Sequence, residues 1–238
     1  MQRDQADVYI FGDEAGIPDD FGNLAINRYF MVVTATLVDC SWLPRLDGLG
    51  QALRGKLGIP QIGRPFHAAK DPPQVKRDVL QLISGQELRI DATVIDKQTL
   101  RPELRCRHRL YAAIWASHLV HLLSDLTPRP SQANVTVASI GTAADARSFR
   151  RGAEQAMREM RAYGAASSSV LGLGQLGVMR LGALPVLVIG NHSSPSTELG
   201  LQVADYCAWP IQRKWERRDL SAYNLVKNRV RSERLVTL

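Results

Sequence analysis

Leu88-Arg89-Ile90-Asp91-Ala92-Thr93-Val94-Ile95-Asp96 decides the class of this chain. Leu88, Ile90, Ala92 and Val94 share one parity and Arg89, Asp91 and Thr93 the other, the period-two signature of a strand with one face in a core. Counting on by two lands on Asp96, so a carboxylate continues the apolar face. A carboxylate aimed at a core is costly unless it is paired, hydrogen-bonded or bound to a metal.

Outward from this strand, helical and strand patterns alternate. Val8 to Gly12 is a short β-rich run ending in Asp13-Glu14-Ala15-Gly16, and Arg28 to Val38 reads as a second strand. Ser41 is placed to cap a helix with leucines at 43, 46, 49, 53 and 57, and Pro73 opens another that stops at Gly85. After the central strand come a helix over about Cys106 to Ser124 and a strand over Val135 to Ile140. Thr142 and Asp145 form a capping-box pattern for a helix to about Tyr163. The stretch Gly164 to Gly182 suggests a weak hairpin, Leu184 to Ile189 a buried strand, and a long helix begins near Ser196. Trp209-Pro210 predicts a kink in it. No repeat or linker interrupts this order, so residues 1–238 predict one α/β domain, a mixed sheet flanked by helices. A basic helical segment follows from about 213 to 238.

Composition narrows the function classes. With 45% apolar residues the chain has enough for a core, and its longest apolar run, Tyr29 to Val38, is too short to span a bilayer. The polar start Met1 to Asp7 does not read as a secretory leader. Cys40, Cys106 and Cys207 form no CxxC pair or disulfide framework, which predicts a reducing cytoplasm. The net charge of +7 is uneven, since eight Lys/Arg follow from Arg213 onward against Glu216, Asp219 and Glu233. Arg213, Lys214, Arg217 and Arg218 lead that cluster. A second runs through Arg101, Arg105, Arg107 and Arg109, and a helical stripe through Arg147, Arg151, Arg158 and Arg161. Such clusters suit a polyanion, because each neutralised phosphate releases counterions.

Asp13, Asp96 and Asp205 are the candidate chemistry. Asp13 ends its strand in phase with Tyr9 and Phe11, before a glycine turn. Asp205 lies in Leu199-Gly200-Leu201-Gln202-Val203-Ala204-Asp205-Tyr206-Cys207-Ala208-Trp209, a helix almost without other charge, with Gln202 three residues before it on the same face. Carboxylates from separate parts of a chain suit Mg²⁺ or Mn²⁺, hard ions that prefer oxygen ligands. Lys97 is a weaker candidate for phosphate, since a strand neighbour of Asp96 points the other way.

Four motifs, Ile10-Phe11-Gly12-Asp13-Glu14-Ala15-Gly16, Phe66-His67, Val94-Ile95-Asp96-Lys97 and Leu201-Gln202-Val203-Ala204-Asp205-Tyr206, resemble in this order the large bacterial family called domain of unknown function 3800. The resemblance covers nearly the whole chain and implies a ribonuclease H-like fold. Acidic residues on the first strand, a central strand and the last helix then bind divalent metal. Carried over by motif, Asp13, Asp96 and Asp205 are the ligands, with Glu14, His67 and Gln202 as nearby support. The implied activity is metal-dependent hydrolysis of nucleic-acid phosphodiesters. One departure bears on this: many members carry a glutamate in the strand before a helix like Asp145 to Tyr163, where Val137-Ala138-Ser139-Ile140-Gly141 has no acid and Ala138 takes the place. That points to weakened metal binding, or to a nucleic-acid-binding protein that has lost catalysis. An actin-like phosphotransferase fits less well, since no glycine-rich phosphate loop follows Asp13.

Other features read as structure. His118 and His121 read as surface histidines, and Gly172-Leu173-Gly174-Gln175-Leu176-Gly177 lacks the strand and capped helix of a dinucleotide site. Ser193, Ser194 and Ser196 mark a helix start.

Overall fold

The computed structural model describes residues 7–57, 65–138, 143–165, 186–189 and 198–238. Its strands are β1 (Val8–Ala15), β2 (Tyr29–Leu37), β3 (Leu88–Asp96), β4 (Gln132–Val137), β5 (Val186–Ile189) and β6 (Val230–Val236). They form one sheet in the order β5-β4-β1-β2-β3-β6. β2 is antiparallel to both β1 and β3, while β4, β5 and β6 join in parallel. Among the described strands β2 alone therefore runs against the rest. The helices are α1 (Pro44–Leu57), α2 (Pro73–Ser84), α3 (Arg107–Asp125), α4 (Ala143–Ala165), α5 (Leu199–Arg217) and α6 (Tyr223–Val226).

Strand parity divides the interior into two cores. Phe11, Met31, Val33, Ala35, Ile90, Ala92 and Val94 point to the side covered by α2 and α5, where Val79, Ile83, Leu201 and Ile211 meet them. Ile10, Phe30, Val32, Ile95 and Val135 point to the other side, beneath Tyr111, Trp115 and Leu119 of α3 and Phe149 of α4. The alternation read in Leu88–Asp96 is thus the boundary between two layers. On the α3 side Arg89 donates to both oxygens of the buried Asp91, at 2.6 and 2.7 Å.

Several expectations need correction. The 213–238 segment is not continuously helical: after Arg217 come the single turn α6 and β6, which pairs with β3 from Ile90↔Val230 to Ile95↔Val236. Alternating Val230, Ser232, Arg234 and Val236 suit an edge strand better than a helix face. β4 begins three residues earlier than expected. Ser41 does not stand at the cap, because α1 begins at Pro44; its N–H and hydroxyl both donate to Asp39. Asp145 accepts from Arg107 Nε at 3.1 Å; the capping-box reading turns on Thr142, which lies outside the described residues. His118 is a core residue, its Nε2 2.9 Å from Thr34 Oγ1 and its Nδ1 3.0 Å from Thr93 Oγ1. Burial drives its pKa down to about 3, so it is neutral. His121 is half-buried against Ser232. Pro210 does lie inside α5, and Trp209 beside it is partly buried. The expected hairpin, the glycine motif and the Ser193–Ser196 cluster fall outside the described residues.

Candidate functional site

α5 crosses β1 at close range, and Gly200 permits it: a Cβ there would collide with the Phe11 ring. One turn on, the buried Ala204 and Ala208 keep the seam narrow. Asp205 is thereby set towards Asp13, whose side chain belongs to the same face of the sheet. At the strand end Gly16 has φ 91, and a Cβ there would strike the Tyr29 carbonyl, so the turn requires glycine.

The 66–71 loop is latched to α5. Phe66 N–H donates to Gln202 Oε1 at 2.9 Å, and Ala68 N–H donates to Asp205 Oδ2 at 2.6 Å. His67 Nδ1 lies 3.4 Å from the same oxygen and has no hydrogen-bond partner among the described residues. Asp71 fastens the far end, accepting from His67 N–H at 2.8 Å and Tyr206 hydroxyl at 2.6 Å. Gln202 and Asp205 from one motif and His67 from another therefore form one connected group. Asp71 was not legible beforehand, since nothing in its own neighbourhood marks it as the anchor of that loop.

Electrostatically the site is strained by like charge. Burial, then repulsion from Asp205, pushes the Asp13 pKa from 3.8 up to about 7, against one backbone hydrogen bond. Burial also raises Asp205, partly offset by the Ala68 N–H and by His67, with Asp71 adding to the rise. Glu14 faces the opposite layer, as its position in β1 requires. Its Oε1 accepts from the Tyr111 hydroxyl and from Trp115 Nε1, the latter at 3.0 Å. Its Oε2 is buried without a partner among the described residues. Burial and then Asp13 raise its pKa to about 8, although both hydrogen bonds oppose the rise. Such carboxyls hold protons near neutral pH, or take a cation that relieves the repulsion.

Asp96 is not part of this group. Asp13 pairs through Val33 with Ala92, and Asp96 lies four residues further along β3. That puts it about 9–10 Å across the strands and roughly 13 Å along them, too far to share one ion with Asp13. Arg28 Nε donates to its Oδ2 at 3.0 Å, and its Oδ1 accepts from Gln98 N–H at 3.0 Å. Its pKa is lowered: Arg28 and the Gln98 N–H outweigh a larger opposing contribution from burial. The inward carboxylate is satisfied by an arginine.

Ala138 stands beside Asp13. β1 and β4 run in register to Gly12↔Val137, and Ala138 N–H then donates to the Gly12 carbonyl. Ala138 is buried in the same core as Phe11. A methyl group therefore stands next to Asp13, at the place where the resemblance implies a glutamate. Among the described residues no three His, Cys, Asp or Glu side chains are grouped as a metal site. Asp13 and Asp205 remain as the pair whose oxygens and mutual repulsion fit one hard cation.

The basic candidates separate into two kinds. Lys97 is fully buried, its Nζ donating to the carbonyls of Ile17 and Asp20 at 2.8 Å each, and is not available to a polyanion. Arg213 pairs with Asp219 at 2.5 Å, and Lys214 with Glu233 at 2.8 Å. Arg217 and Arg218 are exposed, as are Arg147, Arg151, Arg158 and Arg161 along the outer side of α4. A cation not anticipated from the sequence, Lys76, stands by the site. Its Nζ lies 4.6 Å from the Trp209 ring centre, with the Arg213 guanidinium 5.1 Å from the same ring. Burial lowers the Lys76 pKa, with Asp71 and Asp205 pulling the other way.

No protein-family model matches the chain, and no curated protein sequence matches it at a significant level.

Proposed function

We propose that the chain is a divalent-cation-dependent phosphodiester hydrolase acting on nucleic acid in the cytoplasm, on a ribonuclease H-like fold. The observation that carries this reading is the pair Asp13 and Asp205, two partly buried carboxyls whose proton affinity burial raises, with the Asp205 charge adding to the rise at Asp13. A mixed sheet with one carboxylate ending its first strand and another on a late helix is what the family resemblance implies. No helix in the described residues is long and apolar enough to cross a membrane, which agrees with a partner in solution.

Asp13 and Asp205 would hold Mg²⁺ or Mn²⁺. The bound ion supplies a polarised phosphoryl oxygen and a more acidic water. The chain does the positioning. Ala68 N–H fixes one oxygen of Asp205, while Gln202 and Asp71 hold the loop that carries Ala68 and His67. Lys76 brings positive charge to the same side for phosphate, and the α4 arginines offer a second, sequence-independent track.

The test is cleavage of labelled single strands, duplexes and hybrids with Mn²⁺ or Mg²⁺, by the wild type and by Asp205→Asn. Cleavage that falls by orders of magnitude in the variant, with binding retained, supports the proposal. Wild type that neither cuts nor binds either ion refutes it. Ala138 beside Asp13 favours a second reading, a nucleic-acid-binding protein without catalysis. It gives steeply salt-dependent binding and no cleavage with either ion.

A further inference from the structure

At the end of the sheet away from Asp13, a cavity of about 390 Å³ opens under the turn that follows α3. Val8 starts β1 there, Thr36 and Val38 end β2, and Glu87 to Arg89 lead into β3. Leu126 to Arg129 form the roof, and Arg229 closes the side. Its volume falls at the lower end of the range for small-molecule sites.

The walls are of two chemistries. Val8, Leu88 and Leu126 are each more than nine-tenths buried and make the apolar part of the lining. Thr36 is 5% exposed, and its hydroxyl has no hydrogen-bond partner among the described residues. The next inward residue of that parity, Thr34, is satisfied by His118, so the empty hydroxyl is specific to the cavity. A buried hydroxyl without a partner is unfavourable, and a polar ligand atom would satisfy it.

Charge selects the ligand. Arg89 is rigidly held and neutralised by Asp91 and Asp125. Arg229 is anchored by its Nε, which donates to the Ser84 carbonyl at 2.9 Å, and no carboxylate pairs with it among the described residues. It lines the cavity together with Arg129 and the exposed Glu87.

We propose that this cavity is a binding site for a small amphipathic anion, its carboxylate or phosphate on Arg229 and its apolar body over Val8, Leu88 and Leu126, with a polar atom reaching the Thr36 hydroxyl. The site is independent of the carboxylate pair at the other end of the sheet.

Calorimetric titration of the full chain tests it, using phenyl phosphate and benzoate. Benzyl alcohol is the uncharged probe, and inorganic phosphate the probe without an apolar body. Saturable binding of either organic anion, well above both controls, is expected; which of the two binds tighter identifies the headgroup. Arg229→Gln should weaken it by about tenfold, the loss of one charge-assisted hydrogen bond. Thr36→Val should weaken it severalfold while leaving the thermal melt unchanged or raised, because the hydroxyl it removes has no protein partner. Asp13→Asn should leave binding unchanged. No saturable binding of either anion at millimolar concentration overturns the proposal, as does binding that both cavity variants leave intact.

Discussion

Replacing Asp13 by asparagine should make the metal-free protein more stable, and only in a defined pH window. A carboxyl moved from 3.8 to about 7 costs the folded state about 4 kcal/mol once ionised, at about 1.36 kcal/mol per pH unit. Solvent screening at this partly buried site reduces this to about 2–4 kcal/mol. Below pH 4 both folded and unfolded chains hold the proton, so nothing is gained. Between pH 4 and 7 the unfolded chain ionises first and the wild type loses stability relative to the variant. Above 7 the difference is constant. Urea denaturation with a chelator present, at pH 4, 5.5, 7 and 8.5, measures the gap. Added Mn²⁺ should then reverse the order above pH 7, because ion binding stabilises the wild type and not the variant. A gap that is flat with pH, or a variant less stable throughout, refutes the argument that Asp13 is held in an unfavourable field.

Four further outcomes follow from the same geometry. Gly200→Ala presses a methyl against the Phe11 ring; we expect about 1–3 kcal/mol lost in denaturation, together with weaker Mn²⁺ binding as Asp205 moves from Asp13. Ala138→Asp adds a third carboxylate beside Asp13, and should lower apo stability while raising Mn²⁺ affinity in calorimetry; unchanged affinity would show that β4 does not face the ion. Asp96→Asn removes a carboxylate whose pKa is lowered by its partners, so its loss of stability should be present above about pH 4, fade as pH falls further, and leave Mn²⁺ affinity untouched. Trp115→Ala empties a fully buried site and should cost about 3–5 kcal/mol, read by a thermal melt.

What the sequence made legible was local. Leu88–Asp96 and the opening of α2 at Pro73 follow from periodicity and proline placement, and the structure has them at those residues. Asp205 was picked out because it is an isolated charge on an apolar helix, and Asp13 because it ends a strand. The misread polar groups share one cause. Arg28 lies 68 residues from Asp96 and the Ile17 carbonyl 80 from Lys97. His118 meets threonines 84 and 25 residues away. Whether a polar group in a core is functional or satisfied depends on partners that only the folded chain brings together.

β6 has a consequence for synthesis. β3 occupies an inner position of the finished sheet, yet its outer neighbour comes late: Ile90 pairs with Val230, 140 residues further on. While a ribosome makes that interval, β3 is an open edge of nine residues, rich in β-branched side chains and free to pair with another chain. Nascent chains therefore spend most of their elongation with the aggregation-prone side of the sheet uncovered. The Arg231, Glu233 and Arg234 charges that finally arrive on β6 both complete the fold and blunt its new rim.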